Sequence, residues 1–100
     1  MESKVNEKSL EIILDNDLVA SFLDDQLAAA KDILKNNSEQ TEIVLNMQNV
    51  KEIDSLGINL VVGLYKQVTS EQKKFKVKNV SKPIKNLFNL FKLSTYFEVD

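Results

Sequence analysis

The 100-residue sequence predicts a single α/β domain, with a mixed or largely parallel central sheet of about four to five strands packed with about three to four helices. Three observations carry this. Length fits one domain on a prior of roughly 100–200 residues. The composition, 43% hydrophobic and 28% charged with two Gly, one Pro and no Cys, is that of an ordinary globular chain. Short β-branched runs alternate with amphipathic stretches of about 10–16 residues, the order that feeds a parallel sheet. No repeat, low-complexity tract or linker interrupts this order, so the domain is expected to span residues 1–100.

Ser9–Leu14 reads as a strand that ends at the polar cluster Asp15-Asn16-Asp17. Residues 3–6 could pair with it. A helix is predicted from Phe22 to about Lys35, with Phe22, Leu23, Leu27, Ala30, Ile33 and Leu34 on one face. Ser21 is its expected N-cap, with Asp24 and Asp25 in the first turn where the helix dipole favours anions. Thr41–Met47 is apolar enough to lie centrally in a sheet. A loop follows, anchored by Val50 and Ile53, and a second helix is predicted from Ser55 to Ser70. Lys74–Val80 alternates with period two, placing Phe75, Val77 and Asn79 on one face, and is expected to be a half-exposed or edge strand. Pro83 marks the first turn of a third helix carrying Ile84, Leu87, Phe88 and Phe91. Tyr96–Val99 supplies a last short strand.

The chain has neither Cys nor His, which excludes thiolate and imidazole metal ligands, Cys nucleophiles and Ser-His-Asp triads. No apolar run approaches the roughly 18–20 residues that cross a bilayer. The polar start Met1–Glu7 lacks a secretory signal, so a cytoplasmic location is expected. Net charge is −2, which gives no global attraction to nucleic acid. The charge is unevenly spread: residues 1–50 hold four Lys against ten acids, residues 51–100 nine Lys against five. There is no Arg, so bidentate base or phosphate capture is unavailable. The lysines from Lys73 to Lys85 read as a solvated face, and no set of carboxylates converges for a metal. No glycine-rich phosphate loop supports a nucleotide or other cofactor.

In a parallel α/β sheet, functional groups gather at the carboxyl ends of strands, where helix N-termini converge. That rule points to residues 15–21 and 50–57. Asp54-Ser55-Leu56-Gly57 is the more informative, because it joins a buried strand to a helix start. A hydroxyl there sits beside unpaired N–H groups and the positive end of a dipole, a setting that tolerates phosphate. The simpler alternative is that Asp54 or Ser55 only caps the helix. The large apolar residues of that helix, Leu56 to Val68, could all be buried, or could leave a strip for a partner.

The stretch Ile43–Gly57, an apolar strand, a loop ending in an apolar residue and then Asp-Ser-x-Gly opening a helix, resembles the signature of the STAS family. Tyr65-Lys66-Gln67, Phe75–Ile84 and Leu87–Leu93 extend the resemblance to about residues 8–99. It implies an anti-sigma factor antagonist. The unphosphorylated form of such a protein binds an anti-sigma factor that is also a serine protein kinase, and a phosphatase reverses the modification. By position, Ser55 matches the phospho-acceptor, Asp54 the preceding acid and Gly57 the motif glycine, while Asp17-Leu18 matches part of the family's first loop. Asp17, Ser21, Asp54, Ser55, Leu56, Gly57 and Asn59 are the expected partner-binding residues. The chain departs from the family at Leu56, where a second hydroxyl is common, at Ile58-Asn59 and at Asn16. The implied protein is a binding switch and not an enzyme, with no nucleic-acid partner and no membrane insertion. The alternative is a constitutive adaptor of the same fold in a transporter or other signalling complex.

Overall fold

The computed structural model describes residues 1–100. Five strands, β1 (Glu2–Val5), β2 (Ser9–Ile13), β3 (Glu42–Asn46), β4 (Lys74–Lys78) and β5 (Glu98–Val99), form one sheet in the order β1-β2-β3-β4-β5. The β1–β2 pair is antiparallel, so residues 3–6 do pair in part, and the remaining pairs are parallel. Helices α1 (Ala20–Asn36), α2 (Ser55–Ser70) and α3 (Lys82–Leu90) occupy the crossovers, with a short 3-10 turn at Leu93–Thr95.

Each parallel crossover steps one strand in the same direction. Such connections are almost always right-handed, which places all three helices on one face of the sheet. Burial agrees. Leu10, Ile12, Ile43, Leu45, Phe75, Val77 and Val99 share a continuous core with Val61 and Leu64 of α2 and Phe88 of α3. The opposite face has no helical cover. Its apolar centre, Ile13 and Val44, is nevertheless buried and lies outside that core cluster. Charged neighbours roof it: Lys78 meets Glu11 at 2.6 Å and Lys76 meets Glu42 at 3.8 Å. Asn46 adds a hydrogen bond from its side-chain amide to the Glu11 carboxylate. The hydrogen bonds from Lys78 and then Asn46 hold the Glu11 carboxyl below its ordinary value.

Several expectations need correction, among them the burial of Phe91, which is exposed at the C-cap of α3. Helix α1 begins at Ala20, with Val19 at the cap position and no side-chain cap of its own, so Ser21 lies inside the first turn. The earlier start also moves Asp24 and Asp25 beyond the first turn. Phe22 is exposed, and the buried positions of α1 are Ala30 and, unexpectedly, Gln26. Strand β4 is not an edge, because the two-residue β5 pairs along it, although Lys76 and Lys78 are half-exposed as expected. Asn79 lies past the strand end at φ 58°, in the left-handed region that Asn tolerates, and does not share the face of Phe75 and Val77.

Helix α2 matches its expected span and is mostly buried on the sheet side: Ile58, Leu60, Val61, Leu64 and Val68 are buried, Val62 and Tyr65 half-buried, and only Leu56 of its large apolar residues is exposed. Tyr65, Phe75 and Phe97 stack edge-on or tilted at centroid distances of 5.2–6.1 Å, closing the β4–β5 end of the core. Within α2, Gly63 is exposed and helical, a position where glycine costs about 1 kcal/mol relative to alanine.

Candidate functional site

The loops after β2 and β3 leave the carboxyl ends of adjacent parallel strands and are sewn together by main-chain bonds. Leu18 donates its N–H to the Glu52 carbonyl at 3.0 Å, and Asp54 donates to the Leu18 carbonyl at 3.1 Å. Leu18 and Ile53 thus form a parallel bridge outside the main sheet. Leu18 is fully buried, Val50 is buried and Ile53 half-buried, so the seam sits on apolar supports as the loop anchors predict.

Two carboxylates tie this seam from opposite sides. Asp17 accepts the N–H groups of Lys51 at 2.7 Å and Glu52 at 3.2 Å through one oxygen. Asp54 accepts the Gly57 N–H at 2.9 Å, making it the cap of α2. Its other oxygen accepts the Ala20 N–H at 3.0 Å. One aspartate therefore caps two helices, its own and α1, which has no local cap. The hydrogen bonds from Gly57 and then Ala20 lower the Asp54 carboxyl from its ordinary value. Gln26, which sequence reasoning missed, completes the frame: it donates to the Asp17 carbonyl at 2.9 Å and accepts the Asn16 N–H at 3.2 Å. A glutamine at a helical core position carries no distinctive sequence signal until the loop it holds is known.

Gly57 sits where the α2 start presses on the seam. A Cβ there would lie 2.0 Å from the Leu18 carbonyl oxygen and 2.8 Å from the Leu18 and Ile53 side chains. Backbone proximity, not a left-handed φ, requires glycine here.

The frame presents Ser55 outward. Of the two capping candidates, Asp54 is the cap, leaving Ser55 as the first helical residue, exposed and with no side-chain hydrogen bond to the protein. Leu56 beside it is 53% exposed. Asn59 is exposed one turn further along α2, and Ser21 is exposed in the first turn of α1 next to the capped Ala20. Asp17, Ser21, Asp54, Ser55, Leu56 and Gly57 are thus gathered at one end of the molecule, with Asn59 on the adjoining helix face. Asp15, Asp17, Glu52 and Asp54 line the two loops, with Lys51 the one cation among residues 15–57 outside α1.

A family model, the STAS domain, matches residues 5–100, and the chain belongs to this family. No curated protein sequence matches it. Among solved structures, it is similar to a Thermotoga maritima protein provisionally assigned as an anti-sigma factor antagonist. That match has 16% identity and a TM-score of 0.80 over 98% of this chain and 83% of the other. It is also similar to the anti-sigma factor antagonist SpoIIAA in its unphosphorylated form, with 18% identity and a TM-score of 0.76 over 99% of this chain and 86% of the other. The phosphorylated form of SpoIIAA, a cell fate determinant of Bacillus, matches at 19% identity and a TM-score of 0.69 over 99% and 89% of the two chains. The fold is therefore that of the anti-sigma factor antagonists. No helix is long and apolar enough to cross a membrane.

Proposed function

We propose that this protein is a cytoplasmic anti-sigma factor antagonist whose partner binding is switched by phosphorylation of Ser55. The observation that carries the reading is an exposed hydroxyl without an internal partner, held directly after the doubly bonded Asp54. The partner is an anti-sigma factor that is also a serine kinase, and a phosphatase returns the protein to its binding form. Ser55 Oγ attacks the γ-phosphorus of the kinase's ATP, its proton passes to a base of the kinase, and ADP leaves. The chain itself performs no catalysis.

The switch acts at the interface and leaves the fold intact. A phosphate adds about −1.5 to −2 charges. The Gly57 amide that could have received it is already taken by Asp54, so the phosphate stays at the surface beside Asp54, at the end of the molecule whose loops also carry Glu52 and Asp17. Docking would bury a dianion beside these acids, and a loss of about 3 kcal/mol is already more than a hundredfold in affinity. Ser21, Ser55, Leu56 and Asn59 touch the partner in this reading. Asp17, Asp54 and Gly57 act from beneath by fixing the two loops.

The test is calorimetric titration of the cognate anti-sigma factor with wild type, Ser55→Ala and Ser55→Asp. Ser55→Ala is expected to bind like wild type and Ser55→Asp at least a hundredfold more weakly. Equal binding by all three overturns the switch and favours the constitutive adaptor, for which the exposed Leu56 would be a permanent contact.

A further inference from the structure

Gly63 has no structural reason to be glycine. Its φ is not positive, and a Cβ built on it meets nothing within 4 Å, in contrast to Gly57. The missing side chain opens the seam between α1 and α2. There, a hollow of about 180 Å³ has buried Leu60 and Leu64 at its base, with Leu27, Lys31 and Gln67 beside Gly63. A second hollow of about 220 Å³ shares Lys31 and Gln67 and continues past Leu34, Lys35 and Val68. The two lie end to end along the α1–α2 seam, with Lys31 and Gln67 lining both, and mark a groove from Asn59 to Glu71 of about 18 Å at 1.5 Å rise per residue, the length of a three-turn helix.

The rim of this groove is cationic, although the chain carries a net charge of −2. Lys31 and Lys35 stand one turn apart on α1, and neither has a carboxylate within ion-pairing distance. Lys73 at the far end is already engaged by Glu71 at 3.7 Å and by the Ser38 carbonyl. The geometry points to a docking groove for an acidic amphipathic helix of a partner protein. Its apolar residues lie over Leu27, Leu60 and Leu64, its backbone closes on Gly63, and its carboxylates meet Lys31 and Lys35. This inference does not depend on phosphorylation of Ser55.

The probe is a 14-residue helical peptide with leucines at i, i+3, i+4 and i+7 and glutamates on the flanks, titrated into isotope-labelled protein and followed by amide chemical shifts. A second peptide has lysine in place of every glutamate. The acidic peptide is expected to shift Gly63, Leu64 and Lys31 and to bind at least tenfold more tightly than the basic one. Gly63→Leu should fill the gap and weaken binding at least tenfold while melting no lower than wild type. Lys31→Glu combined with Lys35→Glu, at exposed positions that leave the core untouched, should reverse the preference between peptides. Equal affinity for both peptides, or acidic-peptide binding unchanged by the lysine reversals, overturns the proposal. So does a concentration-dependent dimer abolished by Gly63→Leu, which would assign the groove to a second copy of the chain.

Discussion

Two residues at the loop seam set opposite demands. Gly57 has no room for a methyl group, because the nearest obstacle, the Leu18 carbonyl, is backbone and cannot rotate away. Gly57→Ala is expected to lose about 1–3 kcal/mol or more, read as a lower urea midpoint with an unchanged slope. Asp54 acts through its charge. Its folded pKa lies below the ordinary 3.8, so the unfolded chain binds more protons in acid, and stability rises with pH. The contribution is complete above that ordinary value and disappears as pH falls through the folded one. Asp54→Asn retains an acceptor for the cap but does not titrate. Urea midpoints measured between about pH 5 and pH 2 should therefore fall less steeply for Asp54→Asn than for wild type. An equal slope for the two proteins would remove the charge argument.

At the scale of the elements, the helix starts separate what local sequence carries from what it does not. The span of α2 was readable because its cap, Asp54, immediately precedes it and its turn residues follow at once. The start of α1 was not, because its cap lies 34 residues away in sequence. The same distance hid the role of Gln26, whose partners are loop atoms at Asn16 and Asp17. Strand β4 read as an edge from its alternating lysines, and those lysines do face an uncovered surface. What period-two patterning could not report was the two-residue neighbour β5. Ser55 was legible from its strand–helix context, but its division of labour with Asp54, one residue presented and the other anchoring, required the hydrogen-bond geometry. For α2 itself, Gly63→Ala should stabilise the protein by about 0.5–1 kcal/mol, since the methyl meets no atom and the glycine entropy cost is removed. Thermal unfolding of the two proteins checks this.

For the whole molecule, the fold separates the reservoir of stability from the surface that carries Ser55. Phe88 of α3 is fully buried in the core cluster, and Phe88→Ala is expected to cost about 3–5 kcal/mol. Ser55 lies outside that cluster, so Ser55→Ala and Ser55→Asp should unfold within about 0.5 kcal/mol of wild type whatever they do to binding. A large loss of stability in Ser55→Asp would mean that the added charge strains the seam, and the proposed switch would then act through the fold. The one-sided stacking of helices also leaves Ile13 and Val44 dependent on the Glu11–Lys78 and Glu42–Lys76 pairs for shelter, so that face combines a thin apolar centre with a polar cover. Finally, because every strand lies against the one synthesised just before it, no strand has to wait for a partner beyond the next unit, and only the start of α1 gains its cap later, from Asp54. Such an order suits assembly in step with emergence from the ribosome, each new β–α unit finding a docking edge already in place.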